Sequence, residues 1–438
     1  MLGETLPTYW IETLGCPKNS VDSAKLAGLV ESGGYVGAED PETADLIVVN
    51  TCAFIESARA ESIEVVLELA ERRQDGAKVV VTGCMAERYR HELEIALPEV
   101  DLVAGFGESP VPTSVKVELG LRPVPSSFDL LTLPRPPASA PWAYLKVAEG
   151  CDRRCGFCAI PTFRGDQRSR RAADIESEAR ALVEGGAREI VLVAQDLVSF
   201  GRDRRRSGGE DVDDLDAPSA QPIVELLGSL TGTVEWLRLL YLYPSGLTDT
   251  LIDAVLATGV PYFDLSLQHA SRPLLRAMRR WGDADRFLAR IERIRALEPD
   301  ATFRSSFILG YPGETEEDQR RLVAFLEAAR LDWAGFFTFS AEEGTPAVAM
   351  GDQIDPSLAL ERLAECSEVQ DAITSSSRDA LVGQTLTVLV DSPGNARSVR
   401  EAPEIDGIVA VPTELAVGEF HEVVVSASFG TDLLAMPV

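Results

Sequence analysis

Apolar residues in the first hundred positions fall into short runs separated by stretches of helical periodicity. Residues 9–14 (YWIETL) predict a strand that ends in Gly15-Cys16-Pro17, with a helix over 23–32 behind it. Residues 45–50 (DLIVVN) predict a second strand, ending in Thr51-Cys52, and a helix over 55–73. Residues 78–82 (KVVVT) predict a third strand, ending in Gly83-Cys84, again with a helical stretch after it. Short apolar strands alternating with helices predict a doubly wound parallel sheet. In an open sheet of that kind the turns at the carboxyl ends of the strands lie on one edge, where ligands bind. Cys16, Cys52 and Cys84 each fall in such a turn, so three cysteines far apart in sequence are expected at one site. Core cysteines would sit inside the apolar runs instead.

Proline then interrupts the pattern at 122–125 and 133–141, which predicts a semi-rigid linker. Beyond it, apolar runs at 144–148, 189–194, 236–241, 262–267, 303–309 and 336–340 recur with helical stretches between them. Six βα units predict a partial (β/α)6 barrel, two short of a full TIM barrel. From Gly383 onward the runs become short and turn-separated, at 385–390, 407–411 and 422–427, which predicts a small antiparallel β-barrel. The expected domains are therefore 1–122, a linker over 123–141, a core over 142–368 and a β-domain over 369–438. The charged, glycine-rich stretch 202–216 is expected to be a surface loop, and Cys366, in a helical pattern over 358–373, a packing residue.

Composition narrows the setting. A chain of 438 residues can build two or three domains with their own cores. No basic, apolar leader pattern and no membrane-length apolar run is present, so a cytoplasmic location is expected. Seven cysteines, an odd number, then argue for metal or redox use rather than disulfides. The formal charge of −29 would repel a nucleic-acid backbone over most of the surface. A basic protein partner fits it better, and plain solubility fits it equally well on charge alone. Residues 383–438 carry two arginines against eight acidic residues, unsuited to gripping RNA.

The chemistry concentrates in Gly150-Cys151-Asp152-Arg153-Arg154-Cys155-Gly156-Phe157-Cys158, directly after the first strand of the predicted barrel. Three thiolates in a C-x-x-x-C-x-x-C run can point at one centre, with no fourth ligand nearby. Three thiolates on a four-iron cluster leave one iron open to a small molecule; a zinc knuckle is the plainer alternative. Gln195-Asp196, Gln268-His269 and Gly310-Tyr311-Pro312-Gly313-Glu314 fall on the same predicted strand-end edge.

With an aromatic, Phe157, just before its last cysteine, the run resembles the signature of the radical S-adenosylmethionine superfamily. The whole chain, with three further cysteines ahead of it and a TRAM-like β-domain behind, resembles the methylthiotransferases of that superfamily. Leu14-Gly15-Cys16-Pro17-Lys18-Asn19-Ser20, Asn50-Thr51-Cys52-Ala53-Phe54-Ile55, Thr82-Gly83-Cys84-Met85-Ala86-Glu87-Arg88 and Ser305-Ser306-Phe307-Ile308-Leu309-Gly310 are similar to the RimO branch. So is Arg400-Glu401-Ala402-Pro403-Glu404-Ile405-Asp406-Gly407 in the last domain, whereas the tRNA-modifying MiaB branch usually has Gln-Met or similar after its first cysteine.

The resemblance implies two 4Fe-4S clusters as metal centres, one on Cys151, Cys155 and Cys158 and one on Cys16, Cys52 and Cys84, with all six cysteines catalytic. It implies S-adenosylmethionine, two consumed per methylthio group, with Phe157, Gln195, Asp196, Gln268, Arg304, Gly310 and Pro312 as candidate contacts. It implies methylthiolation at the β-carbon of an aspartate in small-subunit ribosomal protein S-twelve, with a reductant such as ferredoxin or flavodoxin. Neither stable nucleic-acid binding nor a membrane is expected. Arg164, Arg168, Arg170 and Arg171 are candidates for substrate contact, with a salt-bridged loop as the simpler reading. A tRNA methylthiotransferase and a non-catalytic iron–sulfur electron carrier are the alternatives, and a carrier has no use for a large concave barrel.

Overall fold

The computed structural model describes residues 6–111, 125, 127–207 and 221–438. The chain divides into two compact units, Met1–Pro136 with Ala159–Asp166, and Pro137–Cys158 with Gln167–Val438.

In the first unit β1 (Thr8–Thr13), β2 (Val36–Gly37), β3 (Leu46–Thr51), β4 (Lys78–Gly83) and β5 (Leu102–Val103) form one sheet in the order β2-β1-β3-β4-β5. Every pairing in it is parallel. All six residues of β3 are buried, because both faces of the sheet are covered. Ile47, Val49, Val79 and Val81 meet Val66, Leu69, Met85 and Leu93 on one face. Leu46, Val48 and Val80 meet Leu26, Leu29 and Val30 on the other. That is why these strands read as continuous apolar runs rather than alternating ones. The first helix, Pro17–Ser32, starts earlier than its apolar periodicity predicts, because Pro17 is preset for a first helical position.

The second unit opens with β6 (Trp142–Lys146), followed by the short antiparallel pair β7 (Ala148–Glu149) and β8 (Arg168–Ser169). Next come β9 (Glu189–Val193), β10 (Trp236–Leu239), β11 (Tyr262–Gln268), β12 (Thr302–Leu309) and β13 (Trp333–Thr338). β6, β9 and β10 form one parallel sheet and β11, β12 and β13 another, joined by the parallel bridge Leu242–Leu265. The result is a six-stranded partial barrel, with no pairing of β13 to β6 among the described residues. Leu145, Leu192, Leu239, Phe263, Phe303 and Phe307 belong to one core with the apolar faces of the connecting helices. Cys366 is fully buried in it and accepts from Gln319 Nε2 at 3.4 Å. The charged stretch beginning at Arg202 starts as the helix Arg202–Ser207 rather than as a loop; its remainder lies outside the described residues, as do residues 122–124 of the proline-rich linker.

The helix Pro356–Asp379 runs without interruption through position 369, so the periodicity carries no break there. Beyond it β14 (Thr385–Ser392), β15 (Asn395–Arg397), β16 (Val409–Ala410), β17 (Phe420–Phe429) and β18 (Asp432–Pro437) close into a five-stranded barrel. β16 and β18 pair in parallel; the other pairings are antiparallel.

This small barrel is fastened to the amino-terminal halves of the large barrel's strands by a buried ionic layer. Glu189, the first residue of β9, accepts from Arg238 and Arg397, each at 2.6 Å. Asp406 accepts from Tyr262 Oη at 2.5 Å and lies 3.4 Å from Arg304. Trp333 Nε1 donates to the Arg400 carbonyl at 2.8 Å, and Tyr144 Oη to that of Pro403 at 2.8 Å. Burial pushes the Glu189 carboxyl up, but Arg238 and Arg397 more than offset it and hold it below the usual glutamate range. Because the folded value is depressed, this contribution is fully present above the unfolded value, roughly 4.3, and is lost as pH falls through the folded one. Glu189→Gln takes the carboxylate from the buried Arg238 and leaves Arg397 with Asp391 alone. It is expected to lower the unfolding free energy by about 3–5 kcal/mol, measured by denaturant titration near neutral pH.

Candidate active site

The strand order brings the carboxyl ends of β1, β3 and β4 side by side, and with them Cys16, Cys52 and Cys84. Cys16 is the cap of the helix Pro17–Ser32, Cys52 follows β3 directly, and Cys84 opens the helix Cys84–Ala96. Gly15 holds a φ of +96°, and a Cβ there would stand 2.8 Å from the Cys52 Cβ, so both the turn and the close approach require glycine. Burial pushes the Cys52 thiol up to about 12, with the Cys16 and Cys84 thiolates adding to the rise. Burial likewise raises Cys84, whereas for Cys16 the charges of Lys18 and Arg164 and the backbone N–H groups of Asn19 and Lys18 outweigh it and lower the thiol.

Polar side chains brace this edge. Asn19 Nδ2 donates to the carbonyls of Leu14 and Thr51, at 2.8 and 3.2 Å, tying two cysteine turns together. Asn50 Nδ2 donates to the Asn19 carbonyl at 3.0 Å. Arg164, from the segment that returns to this unit, donates to Cys84 Sγ and to Asn19 Oδ1. Sequence alone treats Arg164 as one of four loop arginines. Arg170 is instead a buried partner of Glu178, at 2.6 Å, and Arg171 an exposed partner of Asp174, at 2.6 Å.

In the second unit Cys151, Cys155 and Cys158 lie in the half-buried loop after β7, beyond the carboxyl end of β6. Glu149 anchors its start, accepting from Lys146 Nζ at 2.7 Å, from Gln195 Nε2 at 2.8 Å and from the Gly150 N–H at 3.1 Å. The Gly156 N–H donates to the Met278 carbonyl at 2.8 Å, and a Cβ on Gly156 would meet the Tyr311 hydroxyl at 2.6 Å. Arg280 Nη1 donates to Cys155 Sγ at 3.5 Å, and the Arg153 N–H donates to Cys151 Sγ at 3.4 Å. Arg153 and Arg280 both lie against the Tyr243 ring, 3.8 and 4.0 Å from its centroid. Burial raises the Cys151 thiol to about 11.

Of the predicted strand-end residues, Gln195 and Asp196 follow β9 on this edge. Asp196 pairs with Arg153 at 2.7 Å and accepts from Ser199 Oγ at 2.6 Å. Gln195 Oε1 and Asp196 Oδ1 are buried acceptors with no donor among the described residues. Gln268 ends β11 at a φ of +74° and Tyr241 follows β10 at +64°, both left-handed backbone at neighbouring strand ends. His269, next to Gln268, is buried, accepts from the Ser271 N–H at 3.0 Å and is pushed down by burial to about 4. Gly310 and Pro312 lie in the turn after β12, where Glu314 accepts from the Gly310 and Tyr311 N–H groups. Phe157 is half-buried against the barrel core. Arg304 departs from the expectation. It is the third residue of β12, paired with Asp264 at 3.1 Å and with Asp406, in the ionic layer under the small barrel. Its alternating neighbours give no hint of that, since only the fold brings Asp406 to it. Glu149, Arg153, Tyr243 and Arg280 were not singled out by the sequence, and only Arg153, inside the cysteine run, carried a signal.

Among the described residues no group of three or more His, Cys, Asp or Glu side chains converges closely enough for a single metal ion. Two sets of three thiols, each set at one strand-end edge and with no fourth ligand among the described residues, suit a larger iron–sulfur cluster with one iron left open instead. The orphaned acceptors on Gln195 and Asp196 and the cations beside Cys151 and Cys155 suit a zwitterionic ligand carrying amino and hydroxyl donors.

Three family descriptions match the chain: Uncharacterized protein family UPF0004 over residues 8–105, the Radical SAM superfamily over 145–326 and the TRAM domain over 382–438. The chain is similar in fold to the radical S-adenosylmethionine methyltransferase TsrM of Kitasatospora setae, with a TM-score of 0.56 at 13% identity over 86% of this chain and 90% of that one. It is 38% identical to the ribosomal protein uS12 methylthiotransferase RimO of Cutibacterium acnes, over 99% of its own length and 98% of that protein's. It is 42% identical to the protein of the same name from Desulforudis audaxviator, over 97% and 95%. With this likeness along nearly its whole length, the chain belongs to the RimO family of radical S-adenosylmethionine methylthiotransferases.

Proposed function

We propose that this enzyme inserts a methylthio group at the β-carbon of an aspartate in ribosomal protein uS12, using one cluster on Cys151, Cys155 and Cys158 and a second on Cys16, Cys52 and Cys84. The observation that carries the reading is the gathering of Cys16, Cys52 and Cys84 at adjacent strand ends, beyond what a plain radical generator needs. When bound, the first cluster supplies the electron that cleaves S-adenosylmethionine to a 5′-deoxyadenosyl radical, and the second supplies the sulfur. The chain's own groups hold and orient. Gln195 Oε1 and Asp196 Oδ1 accept hydrogen bonds from the donors of S-adenosylmethionine, and Arg153, fixed by Asp196 and the Tyr243 ring, keeps that edge cationic. Phe157, Gln268, Gly310 and Pro312 complete the contact set, while Arg304, engaged with Asp264 and Asp406, holds the small barrel in place. The exposed charge of that small barrel is acidic, with Glu404, Glu414, Glu419 and Glu422 at the surface and Arg397 buried. That suits a basic ribosomal protein and opposes RNA. Ferredoxin or flavodoxin suits the need for a reductant.

Anaerobic incubation of the reconstituted enzyme with S-adenosylmethionine and dithionite tests the radical step: 5′-deoxyadenosine accumulates, whereas an electron carrier yields none. Gln195→Ala removes one buried hydrogen bond to the ligand. It is expected to raise the S-adenosylmethionine concentration at half-maximal 5′-deoxyadenosine formation about tenfold, corresponding to ~1.4 kcal/mol.

A further inference from the structure

We propose that Arg164 is a positioning residue for the centre on Cys16, Cys52 and Cys84, donating to the Cys84 sulfur and raising the reduction potential of that centre. The inference rests on the reading of these three cysteines as cluster ligands. Arg164 ends the short helix Ile160–Arg164, within the segment Ala159–Asp166 that belongs to the first unit. Its Nε lies 3.3 Å and its Nη2 3.0 Å from Cys84 Sγ. Nη2 also donates to Asn19 Oδ1 at 2.7 Å, and Nη1 lies 3.4 Å from Asp22 Oδ2. The Phe106 ring lies against the guanidinium, 4.6 Å from centroid to Cζ. Arg164 is 8% exposed and Asp22 1%.

The two nitrogens on one edge of the guanidinium converge on a sulfur, and Asp22 Oδ2 stands 3.4 Å from Nη1. Asn19, which also ties the Cys16 and Cys52 turns together, fixes the guanidinium from the side. The group cannot lose its charge at any accessible pH. N–H donors to ligating sulfurs, together with local charge, set the potential of an iron–sulfur centre. Reduction adds an electron to the centre and its thiolates, so a fixed cation against Cys84 favours the reduced form. Sulfur delivery at this centre would therefore be tuned by a residue that follows shortly after Cys158 in the chain.

The test uses the full chain with Cys151, Cys155 and Cys158 replaced by alanine, so that only the other three cysteines can hold a cluster. After reconstitution with iron and sulfide, the midpoint potential is read by potentiometric titration of the electron paramagnetic resonance signal. Arg164→Met is expected to lower the potential by about 59 mV, a tenfold shift in a one-electron equilibrium, and to alter the line shape. Arg164→Lys, which keeps the charge, is expected to recover most of both. A methionine variant that loses iron while the lysine variant retains it also supports the role. A methionine variant with the parent's potential and line shape overturns it. A parent that takes up no iron overturns the reading of Cys16, Cys52 and Cys84 as ligands instead.

Discussion

Cys155→Ala is expected to reduce both 5′-deoxyadenosine formation and methylthiolation to the level of a control without enzyme. Cys155 is the middle member of the run, fixed on one side by the Gly156 N–H to the Met278 carbonyl and on the other by Arg280. A centre held by these three thiolates, with no fourth ligand among the described residues, would keep two after the substitution, too few to hold a cube with a single open iron. Chromatographic assay of 5′-deoxyadenosine checks this directly. Cleavage persisting in the variant would sink the assignment of the run.

Cys16→Ala separates the two sites. It is expected to keep cleaving S-adenosylmethionine and to form no methylthiolated product, while iron falls from about eight to about four per chain. Cys16 is the most informative of its set, because Lys18, Arg164 and two backbone N–H groups favour its thiolate, the form that binds iron. Cys52 and Cys84, raised by burial, release their protons to solvent only as iron binds. Product formed by Cys16→Ala would remove the sulfur-supplying role from this set.

Much of this was legible in the chain because parallel strands buried on both faces leave uninterrupted apolar runs, as in β3. The turns after such runs are confined to one edge, so the grouping of Cys16, Cys52 and Cys84 could be expected from position alone. Contacts made across the fold were not legible. Arg304 sits in an apolar strand segment and reads like a strand-end ligand, yet its partner Asp406 lies far along the chain. The motif Arg400 to Gly407 reads as a family mark of the last domain, but Glu401, Asp406 and the Arg400 carbonyl are spent on docking to the barrel and its flanking helix. The helix Pro356–Asp379 hides any boundary near 369, since a continuous helical period carries no punctuation. Arg164 shows the reverse case, where a residue in an arginine-rich stretch turns out to be buried against a thiol.

Competition between the two substrate classes decides between a basic ribosomal protein and RNA. Reconstituted enzyme is offered ribosomal protein uS12 and tRNA together, with S-adenosylmethionine and reductant, and both are read by mass spectrometry. uS12 alone is expected to gain the mass of a methylthio group less one hydrogen, localised to an aspartate. Modification of the tRNA with unmodified uS12 would contradict it.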